Sequence, residues 1–556
     1  MKRYVIIGGV AGGATAAARL RRLDEDAEIT IIERGAYPSF AGCGLPYYVS
    51  SVIGERDRLL VMTPEKFRKN YAIDVWTETE AIAVDTAAKT VRLREKDGEE
   101  SSLPYDALVL SPGGRPLRPR IPGIESSRIH ELRTVPDADT LRSLAQQGRR
   151  AVIIGGGFIG VETAENLKQA GCAVTLLEAA DHILAPFDPD MVPYLERELV
   201  QSGIDLLLGD GAASFSDETD ALTITLQSGR TLTADFAVLA IGIVPDTAFL
   251  EGSGIARNER GYIQVDAHMQ TSAASVYAVG DAVETRDYAT GAPATLALAG
   301  PANRQARVAA DNIAGLGTTY DGISYTSILK VCSLTAAATG KNERQLAREG
   351  LDYGKDYACV LLHPFSHVNY YPGAQQMALK LLFRKDGRLL GAQAIGRDGI
   401  KARIDAIATA LRLGGTTADL SSLELAYAPP FGAPKDPVNL AGCIAENLRA
   451  GLVSFTRVRD LDAARASGAR LLDVREPAEL AADAIEGVTN IPLGSLRERY
   501  GELDKATPWI VVCRVGQRAY NAARFLRSRG YHVSVLMGGM LSYRAERGKA
   551  TPPARA

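Results

Sequence analysis

One pattern, a short apolar strand that runs into a glycine-rich turn and then into a helix, occurs twice in this chain and constrains its fold most strongly. The first copy is YVIIGGVAGG at residues 4–13, and the second is AVIIGGGFIG at residues 151–160. Each helical stretch leads to another apolar strand, EITIIE in the first copy and AVTLLE in the second. This order is typical of a parallel βαβ unit. Two copies predict two Rossmann-like nucleotide-binding domains.

The turns match the dinucleotide-binding fingerprint G-x-G-x-x-G completely in the second copy and in two of three glycines in the first. The fingerprint glycines are Gly8 and Gly13 in the first copy and Gly155, Gly157 and Gly160 in the second. Val10 takes the middle position of the first copy. The first glycine of the fingerprint makes the tight turn, and the third lets the helix pack closely on the strand. Amide groups at the helix N-terminus then face a pyrophosphate.

Each second strand ends in a glutamate, Glu33 in the first copy and Glu178 in the second. A carboxylate at this place accepts a hydrogen bond from a ribose hydroxyl and repels a 2′-phosphate. The residues that follow Glu178, AADHIL, contain no arginine that could bind such a phosphate. The second loop is therefore predicted to prefer NADH, with NADPH less favoured.

The composition excludes several functional classes. The net charge of -3 gives no strong field for nucleic acid or an anionic membrane. No apolar run approaches the roughly 18 residues of a membrane span. The six cysteines form no C-x-x-C pair, and no histidine cluster has the spacing of metal ligands. We therefore expect a cytoplasmic protein without a metal site, a membrane span or a nucleic-acid partner.

The rest of the chain contains further strand and helix signals. The stretches 231–241 and 276–284 are both predicted to be strands that return to the first sheet. Residues 323–445 are rich in strand patterns, with a hairpin around Asp386-Gly387 and a helix over 400–413. A small α/β unit begins near residue 456. The predicted fold class is α/β, with two Rossmann-like domains, an α+β domain and a small α/β domain.

Cys43 lies in YPSFAGCGLPYY, residues 37–48, far from any other cysteine in sequence. Such a thiol could be a packed core group, could cycle through a sulfenic acid, or could form a mixed disulfide with a small thiol. On the first helix, Thr15, Arg19 and Arg22 follow one another at i, i+4 and i+7. This stripe is either a solvated basic face or part of a phosphate-binding site.

The motif order resembles the flavin disulfide reductase superfamily. The shared motifs are SFAGCGLPYY, LVLSPGGRP, the second glycine loop and VYAVGDAVE. Tyr48 stands where two-cysteine members carry their second cysteine, which leaves the single-cysteine branch of coenzyme A disulfide reductases, NADH oxidases and NADH peroxidases. The segments GPANRQ, HVNYYPGA and AYAPPFGAPKDPVN, at 300–305, 367–374 and 426–439, resemble the coenzyme A disulfide reductases. Ala11 replaces the histidine of the peroxidases.

The resemblance implies a homodimer with FAD in the first loop and Asp281 on its ribityl chain. It implies a coenzyme A site made of Thr15, Arg19, Arg22, Ser39, Asn303 and His367. It also places two tyrosines of the partner subunit beside Cys43, namely Tyr370 or Tyr371 together with Tyr427. Gly42 departs from the asparagine often found before this cysteine. The implied domains are 1–114 with 242–322 for FAD, 115–241 for NAD(P)H and 323–446 for dimerisation.

The last module, residues 456–547, resembles a single-domain rhodanese through LLDVRE, NIP, CRVGQR and GGM. A loop between a strand and a helix N-terminus lowers a thiol pKa and holds an anion. The resemblance implies that Cys513 carries a persulfide and that Arg518 attracts anionic sulfur donors; Ala484 replaces the usual histidine. The predicted activity is NADH-dependent, FAD-linked reduction of coenzyme A disulfide, coenzyme A persulfide or polysulfide. The alternatives are an NADH oxidase or peroxidase that uses a Cys43 sulfenic acid, and a slow sulfur carrier or redox sensor.

Overall fold

The computed structural model describes residues 1–548. It divides into two compact units. The first contains Met1–Asp181 and Ile204–Ser324, and the second contains His182–Gly203 and the residues from Tyr325 onward. Among residues 1–548, none of the helices combines the length and apolar character that crossing a membrane requires.

The first unit contains a five-stranded sheet whose central strand is the first glycine-loop strand. All its strand pairs are parallel. Ile6 and Ile31 have no exposed surface, as expected for parallel strands that are covered on both faces. In spatial order the strands are Val276–Ala278, Ala107–Leu110, Arg3–Ile7, Glu28–Ile32 and Asp74–Trp76.

A second five-stranded parallel sheet in this unit contains the second glycine-loop strand. The prediction that residues 231–241 return to the first sheet is wrong. Phe236–Leu239 pairs with Arg150–Ile154 in the second sheet, whereas Val276–Ala278 joins the first sheet as predicted. The partners of this strand, Arg150–Ile154 and Ile129–His130, lie far from it in sequence, so a local pattern does not indicate which sheet it joins. In spatial order the strands are Asp205–Leu208, Ala173–Glu178, Arg150–Ile154, Phe236–Leu239 and Ile129–His130.

Smaller strand groups and six α-helices complete the first unit. Two antiparallel three-stranded sheets consist of Thr79–Asp85, Thr90–Glu95 and Glu100–Pro104, and of Ala212–Asp217, Leu222–Leu226 and Thr231–Ala234. Short strands are Gly114–Pro116 with Ile243–Pro245, and Ile263–Gln264, Val283–Arg286 and Pro293–Ala294. The helices are Ala11–Leu23, Leu45–Val49, Pro64–Tyr71, Val135–Leu144, Phe158–Gln169 and Ala299–Ile313, with 3-10 turns at Gly42–Gly44, Arg56–Leu59 and Ala248–Leu250.

The second unit contains a five-stranded antiparallel sheet. The predicted hairpin at Asp386-Gly387 is confirmed, because the Asp386 carboxylate accepts the Arg388 amide at 2.9 Å and Gly387 adopts a φ of +93°. The predicted helix over 400–413 is confirmed as Ile400–Arg412. The strands are Ser327–Val331, Leu334–Gly340, Leu389–Gly396, Met377–Arg384 and Tyr357–Leu362, and the helices near them are Val192–Gln201, Glu343–Arg348, Ile400–Arg412, Thr417–Ser422 and Pro437–Arg449.

A five-stranded parallel sheet forms the C-terminal module of the second unit. In spatial order its strands are Phe455–Thr456, Val533–Leu536, Trp509–Val512, Arg470–Asp473 and Thr489–Asn490. Its helices are Leu461–Ala466, Pro477–Ala482, Leu496–Arg499, Gln517–Ser528 and Gly539–Arg547, with 3-10 turns at Val458–Asp460 and Tyr500–Glu502.

A buried lysine links this module to the rest of the second unit. The Lys380 ammonium has no exposed surface and lies 2.9 Å from Asp188 and 2.7 Å from Asp190, and it also contacts Glu343. Arg459 of the C-terminal module contacts Asp190 at 3.1 Å and Glu343 at 3.0 Å. Three carboxylates so close together could hold a metal ion. Here the ammonium group neutralises them instead, as buried charges require.

Candidate active sites

The glycines of both loops stand where a side chain would collide with backbone. A Cβ atom on Gly8 would overlap the Ser111 carbonyl oxygen, and one on Gly155 would overlap that of Ala240. Both glycines adopt positive φ, +93° and +110°, which strains other residues. The Cα of Gly157, in contrast, faces space with no protein atom within 4 Å of a Cβ placed there. This space fits the close approach of a pyrophosphate to the second loop.

The two glutamates that end the second strands have matching roles. Glu33 accepts hydrogen bonds from the amides of Gly9 and Gly35, both at 2.8 Å. Glu178 accepts from the amides of Gly156 and Ala180, at 2.6 and 2.8 Å. Each carboxylate oxygen keeps a second lone pair that could accept from a ribose hydroxyl. The glutamates therefore fix the loops and fit the predicted sugar contacts at the same time.

Cys43 lies in the 3-10 turn Gly42–Gly44 and is a free, exposed residue. Surrounding protein atoms still partly desolvate its thiol, and this raises the pKa of Cys43 above its ordinary value. The carboxylates of Glu162 and Asp281 raise it further, whereas Arg133 opposes them. Arg133 lies 3.9 Å from Asp281, whose own pKa is raised by burial. Of these charged groups, only Asp281 was predicted from the sequence.

Glu162 and Tyr47 form a polar pair that sequence reasoning missed. The Tyr47 hydroxyl donates to Glu162 at 3.2 Å. Burial raises the pKa of Glu162, and the hydrogen bond from Tyr47 opposes this shift. Their sequence positions could have identified both as candidates. Tyr47 is four residues after Cys43, and Glu162 is two residues after the last fingerprint glycine. The pair therefore connects the cysteine segment to the second glycine loop.

The predicted coenzyme A residues of the first unit are partly brought together. Thr15 donates to the side-chain oxygen of Asn303. Arg19 pairs with the buried Asp311 at 2.7 Å, and Arg22 is exposed. Ser39 adopts a φ of +49° in the segment before Cys43. Helix Ala11–Leu23 thus presents one paired arginine and one exposed arginine.

In the second unit, the two predicted tyrosine positions converge. The hydroxyl groups of Tyr370 and Tyr427 lie 3.0 Å apart, and both side chains are exposed. The Tyr371 ring instead packs edge-on against His367, with ring centres 5.7 Å apart. His367 is buried, and its ring nitrogens lie 3.1 Å from Ser366 Oγ and 3.2 Å from the Pro372 carbonyl oxygen. The contacts of His367 therefore support the loop that carries the tyrosines.

Cys513 follows strand Trp509–Val512 and precedes helix Gln517–Ser528. Its Sγ accepts hydrogen bonds from the amides of Gly516 at 3.1 Å and Ala519 at 3.3 Å. Such amides stabilise a thiolate and the sulfur anion that it would carry. Arg518 makes two hydrogen bonds to Glu479, at 2.7 and 2.8 Å. Its charge therefore already has a partner.

Two nucleotide loops and an exposed thiol in one compact unit define a pyridine nucleotide-linked thiol–disulfide enzyme. The family described as pyridine nucleotide-disulphide oxidoreductase matches residues 2–306, its dimerisation domain matches 326–436, and a rhodanese-like domain matches 458–546. The chain belongs to the pyridine nucleotide-disulphide oxidoreductase family and carries a rhodanese-like domain. This confirms the predicted fold class and the predicted class of enzyme.

Similar known proteins support a narrower grouping. The structure of reduced Bacillus anthracis CoADR-RHD is 41% identical, covers 98% of each chain and has a TM-score of 0.95. A NAD-dependent persulfide reductase from A. fulgidus is 36% identical over 97% of this chain and 100% of that chain, with a TM-score of 0.91. The coenzyme A disulfide reductase of Staphylococcus haemolyticus is 34% identical over 81% of this chain and its own full length. The predicted resemblance to coenzyme A disulfide reductases with a rhodanese domain is confirmed.

Proposed function

We propose that this protein uses NADH and FAD to reduce coenzyme A disulfide, coenzyme A persulfide or polysulfide, releasing coenzyme A and hydrosulfide. The observation that carries the proposal is the free, exposed Cys43 in the same compact unit as both nucleotide loops. The names of the relatives support coenzyme A disulfide and a persulfide as substrates. Polysulfide carries the same kind of transferable sulfur. Cys43 and Cys513 must both stay reduced to act as thiolates. We therefore place the reaction in the cytoplasm.

The glycine loops supply the two nucleotide sites. We assign FAD to the first loop, with Gly8, Gly13 and Glu33, and to Asp281. We assign NADH to the second loop, where Glu178 would oppose the 2′-phosphate of NADPH. Held by these residues, FAD and NADH would supply the two electrons that sulfur reduction requires.

Cys43 performs the sulfur chemistry. Its thiolate attacks the inner sulfur of coenzyme A persulfide, so that a Cys43–coenzyme A disulfide forms and hydrosulfide leaves with the electron pair of the broken S–S bond. Two electrons and one proton then split this disulfide into the Cys43 thiolate and free coenzyme A. With coenzyme A disulfide as the substrate, the first leaving group is the coenzyme A thiolate instead of hydrosulfide.

The paired tyrosines would handle the proton in a homodimer. We propose that Tyr370 and Tyr427 of the partner subunit stand beside Cys43 and protonate the departing thiolate. Exposure of aromatic side chains supports a partner that covers them: Tyr370 is 72% exposed and Phe431 is 76% exposed. The direct bond of Tyr427 to Tyr370 favours Tyr370 over Tyr371 as the second member of the pair.

The coenzyme A phosphates need cations near Cys43. Arg22 is exposed and can bind these phosphates directly. Arg19 would contact them while it remains paired with Asp311. Thr15, Asn303 and Ser39 would add hydrogen bonds to the nucleotide and the pantetheine arm.

Cys513 would carry out a second reaction, the transfer of sulfur that supplies the substrate of Cys43. Its thiolate takes a sulfane sulfur from a donor and passes it to a thiol acceptor, which yields the persulfide that Cys43 reduces. The amides of Gly516 and Ala519 support this assignment, because they donate hydrogen bonds to Sγ and could do the same for the outer sulfur of a persulfide.

The test compares wild-type protein with Cys43→Ser and Cys513→Ser. Cys43→Ser should abolish NADH-dependent release of hydrosulfide from coenzyme A persulfide, since electrons then have no thiol to enter. Cys513→Ser should retain that reaction and lose sulfur transfer from thiosulfate to a thiol. The mass of the Cys43 peptide from unreduced protein provides a second measurement. A coenzyme A adduct supports the proposal, whereas added oxygen would point to a peroxidase or oxidase, and full activity in Cys43→Ser would refute the proposal.

A further inference from the structure

The Cys513 loop contains two arginines whose electrostatic situations differ. Arg518 donates two hydrogen bonds to Glu479, and these lower the pKa of Glu479 to about 2. Glu479 is therefore ionised at neutral pH and compensates the charge of Arg518. Arg514 is exposed, and no carboxylate pairs with it in the part of the chain that the structure describes. Arg514 is thus the loop cation whose charge is available to a ligand.

Arg514 is positioned by a residue outside the rhodanese-like domain. Its guanidinium donates to the side-chain oxygen of Gln376, 3.4 Å away. Gln376 belongs to the dimerisation domain and directly precedes strand Met377–Arg384. It is half-buried, pairs with Phe365 across its loop, and donates to the His363 carbonyl oxygen at 3.5 Å. A neutral amide orients an arginine without cancelling its charge.

The two contacting segments are fixed to a common helix, Gly539–Arg547. The Met540 amide donates to the Cys513 carbonyl oxygen at 2.9 Å, and the Leu541 amide donates to that of Arg514 at 3.1 Å. From the same helix, Ser542 Oγ lies 2.9 Å from the buried ring of His363. The position of the Cys513 loop relative to the loop that starts at His363 is therefore fixed by this helix.

We propose that Arg514, oriented by Gln376, determines the specificity of the Cys513 site for anionic sulfane-sulfur compounds, so that the dimerisation domain forms part of the sulfur-transfer site. The ligand class is a small anion with a transferable sulfur, such as thiosulfate or a persulfide anion. This inference rests on the proposed sulfur transfer at Cys513. In that step, the Cys513 thiolate bonds to the outer sulfur of thiosulfate and sulfite leaves with the electron pair. An acceptor thiolate then takes the outer sulfur and regenerates the Cys513 thiolate.

The test measures thiosulfate:thiol sulfur transfer by the full-length holoprotein. Arg514→Gln should raise the KM for thiosulfate about tenfold with a much smaller change in kcat, because one charged contact to the bound anion is lost. Arg514→Lys should recover part of the loss. Gln376→Glu, a change in another domain, should raise the same KM because the new carboxylate neutralises Arg514. Gln375→Glu adds the same charge one position earlier and should leave the KM within about twofold.

Alkylation of Cys513 supplies a readout without turnover. Iodoacetate is an anion and iodoacetamide is neutral, so the ratio of their rates at the Cys513 peptide reports the local positive charge. Arg514→Gln and Gln376→Glu should lower this ratio. Unchanged ratios and KM values in both variants would overturn the inference, as would effects confined to Arg518→Gln. A wild-type protein that is alkylated selectively by iodoacetate but transfers no sulfur would refute the proposed transfer and leave the anion site standing; a Cys513 inert in both assays would refute both.

Discussion

The hydroxyl groups of Tyr370 and Tyr427 lie 3.0 Å apart although 57 residues separate them in the chain. The hydrogen bond to Tyr370 raises the pKa of Tyr427, so Tyr427 stays protonated well above neutral pH. A protonated phenol that shares a hydrogen bond with a second phenol can give up a proton to a thiolate and be refilled by its neighbour. The pair can therefore keep a proton available to a sulfur leaving group at neutral pH.

Removing either hydroxyl of this pair should impair reduction of coenzyme A disulfide. We expect Tyr370→Phe and Tyr427→Phe each to lower kcat on the order of tenfold to a hundredfold, within the range of general acid catalysis. Tyr371→Phe is the matched control, because the Tyr371 ring packs on His367 and should need no hydroxyl for that contact. Steady-state kinetics with NADH in excess checks the three variants. A larger loss in Tyr371→Phe than in Tyr370→Phe would show that we chose the wrong tyrosine.

Subunit exchange tests whether the tyrosine pair serves the partner subunit. In a mixture of Cys43→Ser and Tyr427→Phe proteins, a mixed dimer has one site with wild-type Cys43 and wild-type Tyr427 if the two come from different subunits. We therefore expect activity to rise on mixing, towards a quarter of the wild-type value when exchange is complete, since about half of the dimers are mixed and each has one intact site. Differently tagged subunits verify the exchange by native mass spectrometry. No recovery despite verified exchange would argue for a site built within one chain.

Glu162 should control the reactivity of Cys43. Its carboxylate is among the groups that raise the pKa of Cys43, so Glu162→Gln should lower that pKa and increase the thiolate fraction at neutral pH. The pH dependence of iodoacetamide alkylation at the Cys43 peptide measures the shift. Tyr47→Phe removes the hydrogen bond to Glu162 but keeps the carboxylate, and it should shift the Cys43 profile less. An unchanged profile in Glu162→Gln would mean that burial and the other charged groups, Asp281 and Arg133, set this pKa without Glu162.

The sequence predicted those features that depend on short stretches of chain. Apolar runs before the glycine turns indicated the two parallel sheets, because each strand, turn and helix is encoded locally. The convergence of Tyr370 and Tyr427 was implied by motifs rather than by spacing. The assignment of 231–241 to the first sheet failed because the choice of sheet is decided by non-local pairing, here with Arg150–Ile154.

The partners of buried polar groups could not be predicted from the sequence either, because they too are non-local. Lys380 lies in the apolar strand Met377–Arg384, and nothing in that strand indicates that its ammonium is fully buried. Its partners Asp188, Asp190 and Glu343 come from two other segments of the chain. The sequence likewise did not indicate the contact of Arg514 with Gln376, because the two residues are 138 positions apart. Such pairs are specified by packing, which a linear pattern does not report.

Glu546 should make the stability of the second unit depend on pH. This half-buried glutamate of helix Gly539–Arg547 has a pKa raised to about 7, first by burial and then by the Asp190 carboxylate. Arg459, Lys380 and Arg547 oppose the shift without cancelling it. Since the folded protein holds this proton more tightly than the unfolded chain, the contribution of Glu546 to stability is fully present below the ordinary glutamate pKa of 4.5 and is lost progressively as the pH rises from there to about 7.

We therefore expect the stability advantage of Glu546→Gln over the wild type to grow between pH 5.5 and pH 8, by on the order of 1–3 kcal/mol, because the amide cannot ionise. Thermal unfolding of both proteins across this range measures the difference. His363 has the opposite dependence, since burial lowers its pKa to about 4, but it is present in both proteins and cancels from their comparison. Glu486→Gln, at an exposed position of the same module, should leave the pH profile unchanged. Parallel profiles for wild type and Glu546→Gln from pH 5.5 to 8 would show that Glu546 is already ionised in the folded protein.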